Sequence, residues 1–328
     1  MQQLPWLAGK RGLMVHYLPA FPGDAQVDSF DVTGFMADFD RTGSDYLIFT
    51  FGQNTGFYCA PNNVIDRYAG PGHCSCRDLF GEIAEALTQR GKRMIAYLPC
   101  EIFCNTMLHR GFRWNAADGT DQRDFQERWC EVIEYWSRQY GKMLSGWWFD
   151  GCYDWPCFHH DLLDFELYRQ ATQAGNPDTL ITFNDGCYCI GHPQPFRSGF
   201  DYFAGEAVSL EPATGRPLMG PFHNTPVSVC QEEDCVNPGE GLTPHLLVSI
   251  DAFWWHLGPV SVLGEMASQF ADPEKLKADE MEPPIYSRET LTHTMEIYCG
   301  HGGAVTFNAG IFPNGRLGPR TVELLSAL

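Results

Sequence analysis

The chain has 328 residues, 44% hydrophobic and 14% aromatic, enough apolar material for a sizeable core and too much for a disordered chain. Its 22 Lys and Arg against 41 Asp and Glu leave a formal charge of −19, which argues against nucleic acid and anionic membrane surfaces as partners. No run of about 18 apolar residues occurs, so no membrane span is expected.

Taken from the start, Gly12–Leu18 (GLMVHYL) predicts a strand, and VTGFMADFDRTG after it an amphipathic helix. Asp45–Gly52 reads as the second strand, followed by a long loop. The segment Arg77–Gly91 carries Leu79, Ile83, Ala86 and Leu87 at helical spacing, with Gly91 placed to end the helix. Arg93–Cys100 is the third strand, Gln122–Gly141 a long helix, and Leu144–Gly151 (LSGWWFDG) the fourth strand. HDLLDFELYRQATQAG predicts a helix, and Thr179–Gly186 and Gly199–Glu206 two further strands. A region rich in Pro, Gly and Cys follows, in which TPVSVCQEE suits a strand and PHLLVSIDAFWWHLG a helix. SRETLTHTMEIYCGHG is helical, Gly303–Phe312 a strand, and GPRTVELLSAL a closing helix.

These amount to about eight β-then-α units with no linker between them, so residues 1–328 are expected to form one α/β domain with a parallel sheet. The rhythm, without a Gly-rich phosphate loop, favours a TIM-like (β/α)8 barrel over an open doubly wound sheet.

The thirteen cysteines include the spacings Cys74/Cys76, Cys100/Cys104, Cys152/Cys157 and Cys187/Cys189, and none is a repeated C-x2-C zinc pattern. The plain reading is reduced, mostly buried thiols in a cytoplasmic protein. A secreted or periplasmic protein is the alternative if a signal peptide has been removed.

Asp150 stands out because it ends an aromatic strand with a charge. Strand alternation puts Trp148 and Asp150 on one face and Trp147 and Phe149 on the other. At the C-terminal end of a barrel strand a carboxylate faces the catalytic mouth, although Asp after a strand also commonly caps the next turn or helix. Other strand ends carry His16–Tyr17, Gln53–Asn54, Glu101, Asn184–Asp185, Glu206 and Asn308. Carboxylates, amides and aromatics together suit a carbohydrate pocket and not a phosphate site, which needs basic groups and a glycine cradle.

These same residues carry a resemblance. LSGWWFDG resembles the WFDG strand of family 29 glycoside hydrolases, the retaining α-L-fucosidases. GLMVHYLP, the run from FMADFDRTG to the second strand, RDLFGEIAEALTQRGKRMIAYL, TFNDG, DYFAGE and GGAVTFNAGIFPNGRLGP resemble that family's other barrel segments in order. The chain stops about where that family's barrel stops, so the C-terminal β-sandwich of many members is not expected. The resemblance implies a retaining exo-glycosidase, with Asp150 as nucleophile and Glu206 as acid/base, Glu211, Glu232 and Glu233 being rivals for the second role. It implies sugar contacts from His16, and the aligned positions add Tyr17, Gln53, Asn54, Trp148 and Asn184. Gln53 and Asn54 stand where the family has two histidines, Gly186 where an Arg is common, and Tyr17 where Trp is common. The expected substrate is therefore an oligosaccharide or glycoconjugate ending in α-linked L-fucose or a related sugar such as L-galactose. A barrel that binds carbohydrate without cleaving it is the alternative.

No cofactor or metal is expected. His159–His160–Asp161 reads as capping or surface groups before metal ligands, and Trp254–Trp255–His256 as helix core before a sugar subsite. Glu101 reads equally as a loop salt-bridge residue or a sugar ligand. Cys152 and Cys157 allow a disulfide beside Asp150, but a catalytic thiol has no evident base.

Overall fold

The computed structural model describes residues 5–117, 119–152, 158, 162–184, 200–207, 209–219, 228–229, 242–251, 254, 281 and 283–328. Asp185, Gly186, His159–His160–Asp161, Cys157, Cys187, Cys189, Glu232, Glu233, Trp255 and His256, all singled out above, lie outside them.

Strands β1 (Arg11–Val15), β2 (Tyr46–Thr50), β3 (Arg93–Pro99), β4 (Leu144–Asp150) and β5 (Leu180–Phe183) are followed by three short strands, β6 (Ser209–Leu210), β7 (Pro217–Met219) and β8 (Ser228–Val229). Then come β9 (His245–Ser249) and β10 (Ala304–Asn308). Seven of these form one parallel sheet in the order β5-β4-β3-β2-β1-β10-β9, and β6, β7 and β8 form a small antiparallel sheet. Residues 200–207 run between the two outer strands of the large sheet. On one side Phe203 N–H donates to Thr243 and Ala207 N–H to Leu247. On the other, Asp201 N–H donates to Ile181, and Thr182 Oγ1 to the Tyr202 carbonyl. The result is a curled parallel α/β sheet, consistent with a TIM-like barrel.

Each strand of the large sheet is buried on both faces, as a parallel sheet requires, and alternation sorts its side chains into two layers. Trp147, Phe149, Phe51, Phe80 and Trp136 pack outward between sheet and helices, with Phe51 stacked 3.7 Å from Phe80 and 4.0 Å from Trp136. Met14, Tyr46, Ile48, Ile95, Tyr97, Trp148, Tyr202 and Leu247 point inward. Gly12 belongs to this inner layer. A Cβ there would meet the Tyr46 ring at 2.1 Å, so the glycine makes room for a tyrosine whose hydroxyl pairs with Thr306 at 2.7 Å. Trp6 covers the base, edge-on to Tyr46 at 5.7 Å.

The helices outside are started by side-chain caps that satisfy otherwise unpaired N–H groups. Asp31 caps Val32–Thr42, Asn62 caps Asn63–Ala69, Asp78 caps Leu79–Gln89, Asp164 caps Phe165–Gln173 and Ser287 caps Arg288–Tyr298. The Arg123–Tyr140 helix supplies Trp129 and Trp136 to the outer layer.

The structure departs from the expected elements in several places, among them the helix Thr106–Phe112 and strands β6 and β7, which were not expected. The predicted helix over PHLLVSIDAFWWHLG begins instead as β9, paired with β10 from His245↔Ala304 to Ser249↔Asn308. Its apolar run is short and fully buried, a pattern that suits a sheet interior as well as a helix. The segment ending at Glu206 is not a regular strand but forms isolated bridges, Tyr202 with Thr243 and Glu206 with Leu247 of β9. The long loop after β2 contains the helix Asn63–Ala69. Among the described residues no helix is long and apolar enough to cross a membrane, and the eight described cysteines are all free thiols.

Candidate active site

Near the C-terminal ends of the strands the inward face delivers a cluster of carboxylate, amide and imidazole side chains. Asp150 ends β4 and accepts from four donors. Its Oδ1 receives Asn184 Nδ2 and Gly151 N–H, each at 2.9 Å. Its Oδ2 receives the Tyr97 hydroxyl and, at 3.3 Å, Gln53 Nε2. Tyr97 also accepts from Gln53. Burial, with the Asp150 charge adding to it, holds the Tyr97 phenol well above its usual range, so it remains a donor.

Glu206 is half-buried, and its Oε2 accepts from the same Asn184 Nδ2 that holds Asp150. Two acceptors of one nitrogen cannot be more than roughly 6 Å apart. The two carboxyls therefore have oxygens close together at the mouth of the sheet. Burial first, then the Asp150 charge, pushes the Glu206 carboxyl up to about 8, against the Asn184 bond. The two carboxyls thus have different environments: one is saturated with donors and the other is set up to keep its proton at neutral pH.

His16 lies across the mouth. Its Nδ1 donates to Asn308 Oδ1 at 2.7 Å, and Asn308 Nδ2 donates to the Trp254 carbonyl at 2.9 Å. The imidazole sits edge-on to Tyr97 at 5.1 Å and to Trp254 at 5.8 Å. Burial lowers its pKa, against the Asn308 bond, the Asp150 charge and the Trp254 backbone, favouring the neutral ring.

Glu101 forms a third carboxyl of this region. It is buried at the end of β3, accepts the Phe103 N–H and lies against Gly151. A Cβ at Gly151 would meet Glu101 Oε1 at 2.8 Å, and Gly151 has φ +76°, so glycine is required there on both counts. Burial, with the Asp150 charge adding to it, pushes Glu101 up to about 8 against the Phe103 bond. Just behind, the Cys100 and Cys152 thiols hydrogen-bond each other, and burial raises the Cys100 thiol well above its usual range. Such a thiol is a poor nucleophile.

Of the residues picked from the sequence, Asp150, Glu206, Asn184, Gln53 and His16 come together, and Asn54 is half-buried in the turn beside Gln53. Two residues expected to contact sugar are buried. Tyr17 follows His16 directly, so with His16 facing in it faces out. It is fully buried against Phe30 and Phe49, with its hydroxyl on the Gln26 and Pro313 carbonyls at 3.0 Å. Trp148 does share the inward face with Asp150 but lies one layer deeper. It is 2% exposed, its ring stacked under Tyr97 at 5.4 Å and its Nε1 donating to Ala204. The rival Glu211 is held in its own turn, accepting from Thr214. Tyr97 was not singled out from the sequence, and Trp254 was read as helix core before a sugar subsite. Alternation along RMIAYLP marks Tyr97 as facing in, whereas Trp254 was hidden by the helix assignment.

A separate cavity of about 540 Å³ opens beside the start of the Arg123–Tyr140 helix, lined by Arg113, Asn115, Thr120, Gln122 and Leu162 among others, and contains none of these site residues. Among the described residues no group of His, Cys, Asp and Glu could hold a metal ion.

No family model and no curated protein matches the chain. Solved structures do. An endo-fucoidan hydrolase from glycoside hydrolase family 107 superposes with a TM-score of 0.68 at 13% identity, over 98% of this chain and 52% of that one. A family 29 glycoside hydrolase, SpGH29, gives 0.60 at 15% identity over 99% and 68%. A fucosyltransferase mutant of an α-L-fucosidase gives 0.55 at 15% over 97% and 94%. The chain spans about half the length of the first of these. It has the fold shared by these fucose-directed glycoside hydrolases.

Proposed function

We propose that the chain is a retaining exo-glycoside hydrolase acting on a terminal α-linked sugar, L-fucose or a close relative such as L-galactose. Residues 1–328 form one TIM-like (β/α)8 barrel, with 200–207 as the stave between β5 and β9. The observation that carries the reading is the single Asn184 amide nitrogen shared by the Asp150 and Glu206 carboxyls. Asp150 attacks the anomeric carbon to give a glycosyl-enzyme, while Glu206 gives its proton to the leaving oxygen. Glu206 then takes a proton from the water that attacks the same carbon, and Asp150 leaves. Gln53 and Asn54, with His16, face the sugar hydroxyls. Amides in the place of charged or titrating histidines donate and accept without adding charge, which fits an altered sugar.

Hydrolysis of a panel of aryl α- and β-glycosides, including α-L-fucoside and α-L-galactoside, tests this. Activity on an α-glycoside should fall by several orders of magnitude in Asp150→Asn. Sugar binding that persists in both proteins without cleavage of any substrate would make the chain a carbohydrate-binding barrel instead.

A further inference from the structure

We propose that His245 is a positioning residue for Glu206: its ring holds the backbone just before Glu206, and so sets that carboxyl within reach of Asn184 and Asp150. This rests on the reading of Glu206 as acid/base and adds to it a residue that acts through the backbone, away from the sugar.

The segment 200–207 carries Glu206 without being a regular strand, so a ladder does not take care of all its carbonyls. Buried carbonyls must find donors all the same. The Tyr202 carbonyl takes the Thr182 hydroxyl at 2.6 Å, and the Gly205 carbonyl takes the Leu247 N–H at 2.8 Å. Between them, the Phe203 and Ala204 carbonyls both face His245 Nδ1, at 2.9 and 3.0 Å. Ala204 also receives Trp148 Nε1 at 3.2 Å. Gly205 comes next, with φ +71°, and a Cβ there would lie 2.0 Å from the His245 carbonyl. The ring and the backbone of one residue thus both bear on the turn that leads into Glu206.

The ring itself is locked. Carbonyls only accept, so Nδ1 carries the proton, and in the neutral imidazole Nε2 is left as an acceptor. Its partner, Thr306 Oγ1 at 2.7 Å, must therefore donate. Thr306 Oγ1 in turn takes the Tyr46 hydroxyl at 2.7 Å. The run Tyr46 to Thr306 to His245 to the two carbonyls has one direction throughout, and all of its side chains are buried. Burial holds the imidazole down to about 4, against its two backbone bonds, which keeps the ring neutral. Tyr202 packs edge-on to it at 5.4 Å. His245 opens β9, at the end of the strand opposite the mouth, so its effect on the site runs through the segment it holds.

The test compares α-L-fucosyl fluoride, whose leaving group needs no acid, with fucosyllactose, whose leaving oxygen needs a proton. Both are assayed with wild type, His245→Phe and Thr306→Val, and circular dichroism checks folding. The positioning role predicts that kcat/KM for fucosyllactose falls about tenfold or more in His245→Phe, while that for the fluoride stays within about threefold. Thr306→Val, which removes only the donor to Nε2, should show the same contrast to a smaller degree, and it decides the matter if His245→Phe does not fold. Equal losses on both donors, as a merely structural role would give, or no loss on either, overturn the proposal. If wild type cleaves neither donor, the glycosidase reading has failed and amide hydrogen exchange judges the tether. Faster exchange confined to residues 203–207 in the folded variants supports it, and unchanged or uniformly faster exchange overturns it.

Discussion

Asp150 and Glu206 are two carboxyls within reach of one amide, and what separates them chemically is what else each touches. Asp150 has four donors, whereas Glu206 has the Asn184 amide and a neighbouring negative charge. The consequence for pH has a definite sign. An unfolded Glu titrates near ~4.3, and Glu206 in the fold near about 8. Between those values the folded chain holds a proton that the unfolded chain has released, so this contribution to stability is complete at low pH and is lost as pH rises towards 8. Glu101, also near about 8, acts in the same direction. We therefore expect Glu206→Gln to have a higher Tm than wild type at pH about 8–9 and little or no advantage at pH about 4, with the double Glu101→Gln/Glu206→Gln variant extending the trend. In the proposed mechanism the same proton goes to the leaving group, so wild-type kcat/KM should fall above pH about 8. Superimposable Tm–pH curves for wild type and Glu206→Gln would remove the proposed environment of Glu206.

At the scale of elements, the site is accurate because strand ends are held by their helices. Asp78 shows how. Its carboxylate caps Leu79–Gln89 through the Gly81 N–H at 2.9 Å and receives the Tyr140 hydroxyl at 2.7 Å and Gln139 Nε2 at 3.0 Å from the end of the next long helix. One side chain thus starts one helix and ties down the end of another. Asp78→Ala should cost about 1–2 kcal/mol in urea unfolding, with activity nearly intact. A loss below about 0.3 kcal/mol would show that water replaces both contacts. The same element logic explains what could be read in advance. Helices with a clear 3.6-residue stripe and an Asp or Ser before them were legible, and so was the inward parity of Trp148 and Asp150. Parity also shows why Tyr17 misled, since two adjacent strand residues cannot both face the pocket. β9 was obscured because Trp254 and its neighbours prolong an apolar run past the strand's real end. Nothing local in the sequence revealed the Glu101–Gly151 contact, which arises only when β3 and β4 lie side by side in the register Pro99↔Asp150.

Across the whole molecule, the inner layer changes character along the barrel axis. Its base is aromatic, with Trp6 over Tyr46, and its middle stacks Trp148 on Tyr97. Its mouth is polar, with Asp150, Glu206, Asn184, His16 and Asn308. This gradient lets a packed interior carry a reactive carboxylate, because Tyr97 is at once the top of the apolar stack and a donor to Asp150. The formal charge of −19 adds a field that favours neutral or cationic ligands over anionic ones. The account stands or falls on a covalent bond to Asp150. The most direct measurement is incubation with a 2-deoxy-2-fluoro-α-L-fucosyl fluoride, followed by intact-mass and peptide mass spectrometry. One sugar adduct per chain on the peptide containing Asp150, absent from Asp150→Asn, is the predicted result. Hydrolysis with inversion, or an adduct on another residue, would contradict it.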